Sequence, residues 1–174
     1  MNFQYIDLAN QKDPIEGVVL RKLIIHKDPT GSLVETLRCD WTDVFDKKDL
    51  PFAMQYVSVT PSGIARDENV WHVHKHQTDR FICIDGKVVV AIYDHREKSK
   101  TYGKLNLFIM GPENENEMYL LIIPKEAFHS FMTISKNPAH LLNFPTRLYN
   151  PQDEGRVPNK EFKWNKVRED FSIK

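Results

Sequence analysis

Cysteine is scarce in this chain: two residues, Cys39 and Cys83, among 174. That excludes a disulfide-stapled scaffold and any Cys-rich zinc module. Charge of one sign is not in excess either, with Lys+Arg 24 against Asp+Glu 24. A balanced chain has no electrostatic pull toward nucleic acid or an anionic membrane. No long hydrophobic run is present; the most apolar stretch, residues 118–124 (MYLLIIP), is too short to cross a bilayer. Residues 1–12 lack the basic-then-apolar order of a secretory signal. These absences lead to the expectation of a cytoplasmic protein with reduced thiols and with neither nucleic acid nor membrane as partner. Internal repeats, low-complexity tracts and helical periodicity are scarce as well.

A hydrophobic share of 41 % with 11 % aromatics excludes a disordered or collagen-like chain. The length suits one domain, 1–174, whose core buries roughly 70 % of the surface an unfolded chain exposes. Short apolar or alternating runs recur at residues 18–25, 33–39, 54–59, 81–84, 87–93, 105–110, 118–123, 128–134 and 141–144. Turn material separates them, including Asp28-Pro-Thr-Gly31, Thr60-Pro-Ser-Gly63 and the hairpin signal Asp85-Gly86. Runs at this spacing predict an all-β sandwich or barrel. Its core spans about 17–149, with an N-terminal strand arm and an irregular C-terminal arm carrying a short helix near 165–171. Cys83 lies among alternating apolar residues and reads as a small core side chain.

Three of the seven histidines, His72, His74 and His76, fall within five residues. In a strand, side chains two apart share a face, so all three can project together. Buried imidazoles each need a hydrogen-bond partner, so such a row serves packing poorly. For His76 an exposed strand edge is the simpler reading. His72-x-His74 is followed by Asp79 and then Gly86, and Pro124-Lys-Glu-Ala-Phe-His129 stands downstream. The two segments resemble the paired motifs of the cupins, H-x-H-x(3,4)-E-x(6)-G and P-x-G-x-x-H, with Asp79 in place of the glutamate and Glu126 in place of the glycine. The resemblance implies a cupin-type double-stranded β-helix, a jelly-roll barrel with its site in the mouth. It also implies that His129 faces His72 and His74. With Asp79 these side chains form a ligand set suited to Zn, Fe, Mn or Ni. The alternative is a metal-free pocket in which one histidine is a base.

Further segments resemble one subfamily, the dTDP-4-dehydrorhamnose 3,5-epimerases. They are Asp28-Pro-Thr-Gly31-Ser-Leu-Val-Glu35, Met54-Gln-Tyr-Val-Ser58, Gly63-Ile-Ala-Arg66, Asp94-His-Arg96-Glu-Lys-Ser99-Lys-Thr101-Tyr-Gly103, Ile123-Pro124-Lys-Glu-Ala-Phe-His129 and Tyr149-Asn-Pro151-Gln-Asp-Glu154. The block from Asp94 to Gly103 is the most specific. The resemblance implies that His74 is the catalytic base and that Asp170 orients it. Arg80 stands one step beyond the family's lysine position, and Asn143 stands where the family carries an acidic tyrosine. It places Glu35, Arg66, His72, His129 and Asn143 against the substrate. It further implies a homodimer in which N-terminal strands cover an exposed sheet edge.

Epimerisation beside a ketone needs a base for the α-proton, a stabiliser for the enolate oxygen and an acid on the opposite face. A His74–Asp170 dyad supplies the first and Arg80, or a histidine-bound metal, the second. With asparagine at 143, Tyr93, Tyr119 or water would have to supply the third. Three functions follow as expectations. The leading one is an epimerase- or isomerase-like enzyme on a nucleotide-linked keto-sugar, requiring no cofactor. The others are a metal-dependent isomerase, dioxygenase or lyase, and a non-catalytic sugar-binding protein. In the sugar-binding cases Trp71, Phe131 and Phe144 are candidates to stack on the ligand.

Overall fold

A computed structural model describes residues 4–173 of the chain. Among these residues are fourteen strands and one short helix. The chain opens with β1 (Tyr5–Ile6), β2 (Val19–Lys22), β3 (Ile25–Asp28) and β4 (Gly31–Val34). The central strands are β5 (Tyr56–Thr60), β6 (Ala65–Arg66), β7 (Val70–His74), β8 (Asp79–Asp85) and β9 (Val88–Tyr93). Then come β10 (Leu105–Met110), β11 (Tyr119–Ile123), β12 (Phe128–Thr133), β13 (Ala139–Asn143), β14 (Glu154–Pro158) and α1 (Asn165–Asp170).

The strands form the jelly roll that the motifs predict. A seven-stranded sheet runs β1-β10-β9-β12-β7-β14, with β6 also on β12, and a five-stranded sheet runs β2-β11-β8-β13-β5. Among the described residues β3 and β4 pair only with each other. Period-two alternation builds the layers. Phe81 and Cys83 of β8, Val90 and Ile92 of β9 and Leu121 of β11 meet in the core between the sheets. Each such fully buried apolar side chain stabilises the fold by about 1.5–3 kcal/mol before entropy is subtracted. The alternate residues Trp71, Val89 and Met132 face the other way, where Phe162, Trp164 and Val167 of the C-terminal segment cover them. On the outer side of the five-stranded sheet, Ile82, Leu120 and Leu142 pack under Leu23 and Val44.

Two expectations need correction. The C-terminal arm is not irregular throughout: Glu154 to Pro158 pairs antiparallel with β7, setting Glu154 opposite His74. The run 33–39 stops being strand after Val34. The turn at Asp85-Gly86 is as predicted, with Gly86 at φ +71°, and an added Cβ there would sit 2.9 Å from the Ala139 backbone. Cys83 is buried, and burial pushes its thiol up to about 12.

The block from Asp94 to Gly103 is a structural latch. Buried Asp94 accepts hydrogen bonds from Arg96 Nε (2.8 Å), Ser99 Oγ (2.5 Å) and Thr101 Oγ1 (2.6 Å). Burial alone would raise its pKa, but these donors overrule it and hold the carboxyl well below the usual range. Arg96 and Lys100 also bind Glu16, fastening the N-terminal segment to this hairpin.

Candidate active site

A cavity of about 500 Å³ opens between the two sheets, within the size range of small-molecule sites. Each wall follows from strand alternation. On β7, Trp71 and Val73 face outward, so His72 and His74 face in. β12 lies beside β7 with His129 directly opposite His72. The three imidazoles therefore form one wall, with ring centroids 4.6 Å apart for His72–His74 and 5.2 Å for His72–His129. Asp79 and Phe81 of β8, Leu141 of β13 and Tyr56 and Ser58 of β5 form the facing wall.

The histidine wall is a hydrogen-bonding array. His72 Nε2 and His74 Nε2 are 2.9 Å apart, so a single proton lies between them. Asp153 Oδ2 lies 3.8 Å from His74 Nδ1. Asp79 Oδ2 stands equally far, 3.8 Å, from His74 Nε2, so a carboxylate faces each ring nitrogen and either can carry the proton. Burial, reinforced by the charges of His129 and His74, pushes His72 down to about 4. Burial also lowers His129, against the pull of the Asp79 carboxylate 3.5 Å from its Nε2. Asp79 is itself held from the far side: Gln77 Nε2 and Asn143 Nδ2 both donate to Oδ1 at 2.8 Å.

The structure brings His72, His74, Asp79 and His129 together but does not shape them as a metal cage. The Nε2 atoms of His72 and His74 satisfy each other, and Asp79 Oδ1 is occupied by two amide donors. Among the described residues no group of three or more His, Cys, Asp or Glu side chains converges on a point that suits a metal ion. The residues as placed do not fit the ion, and no chemistry is routed through one.

Other predicted residues lie elsewhere. Arg80 alternates with Asp79 and so points to the outer side of the sheet, fully buried. There its guanidinium donates to the carbonyls of Phe144 (2.7 Å), Val44 (3.0 Å), Leu50 (3.1 Å) and Pro51 (2.6 Å). It pins the 44–51 segment rather than an enolate, and burial lowers its pKa to about 10. Asp170 sits at the end of α1, where it accepts from the Tyr5 hydroxyl at 2.7 Å and pairs with Lys166. It does not line the cavity; the carboxylates beside His74 are Asp153 on the Nδ1 side and Asp79 on the Nε2 side. Glu35 is exposed and binds Arg38. Trp71 and Tyr93 stack on each other behind the histidine wall, and Phe144 packs outside the five-stranded sheet. Tyr119 is buried with its hydroxyl on Ile109 O at 2.7 Å.

Arg66, Asn143 and Phe131 are at the site. Arg66 lines the cavity, where its guanidinium donates to Thr60 and Ser58, and no carboxylate lies within salt-bridge range among the described residues. Asn143 is buried behind Asp79. Sequence reasoning missed Tyr56, Asp153 and Gln77. Tyr56 carried a signal: in Tyr56-Val-Ser-Val-Thr60 the alternation is inverted, with polar residues facing in and valines facing out.

The fold and its histidine-lined pocket define a cupin-type jelly-roll protein with a small-molecule site. The sequence model of the dTDP-4-dehydrorhamnose 3,5-epimerase family matches residues 12–168. A relative from Haloferax volcanii, described as a probable low-salt glycan biosynthesis epimerase, is 38 % identical over 147 residues, 83 % of this chain and 88 % of that protein. A spore coat polysaccharide biosynthesis protein of Bacillus subtilis is 31 % identical over 157 residues, 87 % of this chain and 97 % of its own. The solved structure of a dTDP sugar isomerase from Desulfovibrio desulfuricans G20 superposes with a TM-score of 0.76 at 26 % identity, covering 87 % of this chain and 92 % of that one. This chain belongs to the dTDP-4-dehydrorhamnose 3,5-epimerase family, and it is an epimerase-like enzyme. Epimerases of this family need no cofactor. Among the described residues no helix is long and apolar enough to cross a membrane.

Proposed function

We propose that the protein removes and returns a proton at a carbon beside the ketone of a nucleotide-linked keto-sugar, with His74 as general base. The observation that carries this reading is the His74 imidazole, its side chain 11 % exposed in the cavity wall, with Asp153 on its Nδ1 side and Asp79 on its Nε2 side. Asp153 is fixed by the main-chain N–H groups of Lys75 (3.1 Å) and His76 (2.9 Å), so it is a rigid positioning residue. It stabilises the imidazolium formed when His74 takes the proton. In the tautomer that keeps the proton on Nδ1, toward Asp153, Nε2 carries the lone pair that takes the α-proton. His72, neutral at neutral pH because its pKa lies near 4, adds no repelling positive charge.

Nucleotide sugars suit the cavity's shape and charge. Arg66, without a carboxylate partner, matches a diphosphate oxygen, and Tyr149 at the rim offers a ring for the nucleobase. The chain is further proposed to work as a homodimer. β5 ends its sheet with an unpaired edge, and its outward Val57 and Val59 are 46 % and 51 % exposed. The separate β3–β4 hairpin exposes Leu33, and Ile24 just before it is exposed as well. Apolar edge strands of this kind are normally covered by a second chain.

The test is incubation in deuterated water with dTDP-4-dehydro-6-deoxyglucose, read by mass spectrometry. Deuterium enters the sugar with the parent protein and not with His74→Asn. Uptake that survives His74→Asn refutes the assignment.

A further inference from the structure

Asn143 cannot donate a proton, yet it stands where the family resemblance places the acid. β5 pairs antiparallel with β13, and the residue directly across from Asn143 is Tyr56. Asn143 Nδ2 lies 2.9 Å from the Tyr56 hydroxyl oxygen and 2.8 Å from Asp79 Oδ1. The orientation of the amide is fixed from its other end, because Asn143 Oδ1 accepts the Arg80 N–H at 3.0 Å. Nδ2 is therefore the donor to Tyr56, and the tyrosine oxygen accepts. Its own hydrogen is left for the cavity, and no acceptor among the described residues takes it.

We infer that Tyr56 is the acid on the face opposite the histidines, returning a proton to the carbon from which His74 has taken one. The inference rests on the base reading above and deepens it. His72, His74 and His129 belong to the seven-stranded sheet, whereas Tyr56, Asn143 and Asp79 belong to the five-stranded sheet. Facing sheets lie about 10 Å apart, so a sugar ring between them meets imidazole on one side and phenol on the other. Inversion requires that arrangement, since a single acid–base residue can only return the proton to the face it came from.

The steps balance. His74 Nε2 forms an N–H bond with the α-proton, and the C–H electron pair becomes the enolate. The enolate carbon then forms a new C–H bond with the Tyr56 proton on its other face, leaving a phenolate and an imidazolium. The phenolate keeps the Asn143 N–H as a hydrogen-bond donor. Water takes the proton from His74 and supplies one to Tyr56, so the enzyme is regenerated with no net change. Burial and the negative charge of Asp79 raise the Tyr56 pKa, which keeps the phenol protonated until the enolate forms.

The experiment compares the parent, Tyr56→Phe and His74→Asn in deuterated water with dTDP-4-dehydro-6-deoxyglucose. Deuterium uptake is followed by mass spectrometry and the epimer by NMR. Tyr56→Phe keeps the ring and removes only the hydroxyl, at a side chain 43 % exposed on the cavity rim. The expected result is that Tyr56→Phe still takes up deuterium while epimer formation falls by about 100-fold or more; His74→Asn loses both. Epimer formation in Tyr56→Phe within tenfold of the parent overturns the inference and leaves the base reading standing. So does an equal loss of uptake and epimer in that variant, or a parent that takes up deuterium without forming epimer. A parent that does neither overturns the base reading, and the role of Tyr56 falls with it.

Discussion

Glu126 occupies the turn where the cupin motif carries glycine, and its φ of +64° shows why glycine is favoured there. A non-glycine residue in the left-handed region costs about 1–2 kcal/mol. The side chain returns little: it is exposed, and among the described residues it acts only through its charge on His95 and Arg96. Its main-chain N–H does the local work, donating to His74 O at 2.6 Å and tying the turn to the histidine strand. Replacing Glu126 by Gly keeps that N–H and removes the strain, while the freer unfolded chain takes back about 0.5–1 kcal/mol. The net expectation is a gain of about 0.5–1 kcal/mol, or a rise of about 1–4 °C in Tm for a chain of this size. Glu126→Ala, which loses the side chain but not the Cβ, should melt within about 1 °C of the parent. Calorimetric melts of the three proteins at one pH decide the matter. A Glu126→Gly protein that melts at or below the Glu126→Ala protein refutes the argument, because the backbone would then not be strained.

Arg80→Met leaves the carbonyls of Phe144, Val44 and Pro51 without their guanidinium donor, while Leu50 O keeps the Asp46 N–H, and should cost about 3–5 kcal/mol in urea denaturation; a loss below 1 kcal/mol accompanied by loss of deuterium uptake would return Arg80 to the chemistry. The depressed His72 pKa sets an acid sensitivity with a definite sign. From pH 6.5 down to about 4 the unfolded chain takes up a proton that the folded His72 refuses, so stability falls across that window by an amount on the order of 1–3 kcal/mol. The fall should be shallower in His72→Asn, and an identical pH profile for both proteins counts against the assignment. Val57→Lys charges the exposed face of β5 and should shift the protein from dimer to monomer in analytical ultracentrifugation, whereas a parent already monomeric removes the case for an interface there. Gly86→Ala should cost more than about 2 kcal/mol, since its Cβ would meet Ser135 Oγ at 2.7 Å and the Ala139 backbone at 2.9 Å; a melt unchanged from the parent would mean the turn has room.

Much of the architecture was legible because it rests on local rules. Continuous apolar runs at 87–93 and 105–110 mark strands buried on both faces, and Asp85-Gly86 marks the turn between β8 and β9. The meeting of His72, His74 and His129 follows from two motifs whose spacing ties them to neighbouring strands. Arg80 and Asp170 were misplaced for different reasons. Arg80 was matched along the chain, one step from the family's lysine, but one step along a strand is the other side of a sheet. Asp170 was matched by its distance from the end of the chain, and nothing local says that α1 packs behind the histidine wall while the turn before β14 sets Asp153 beside His74 Nδ1. Tyr56 escaped because its partner is 87 residues away in sequence, and a cross-strand neighbour is set by register that no short motif encodes. β14 escaped because Glu154-Gly-Arg-Val-Pro158 has neither the composition nor the alternation of a strand. It is held by pairing with β7, which is tertiary context.

The Asp94 latch has a consequence for how this protein can change. Its donors and acceptors lie among Glu16, Asp94, Arg96, Ser99 and Thr101, and none of them lines the cavity. Substitutions there and in the pocket share no side-chain partner, so their effects on stability should add with little coupling. Molecular ancestry and molecular task are thus written in separate parts of the chain. The wording that announces kinship can stay fixed while the pocket is rewritten for a different sugar, and relatives that share the latch need not share a product.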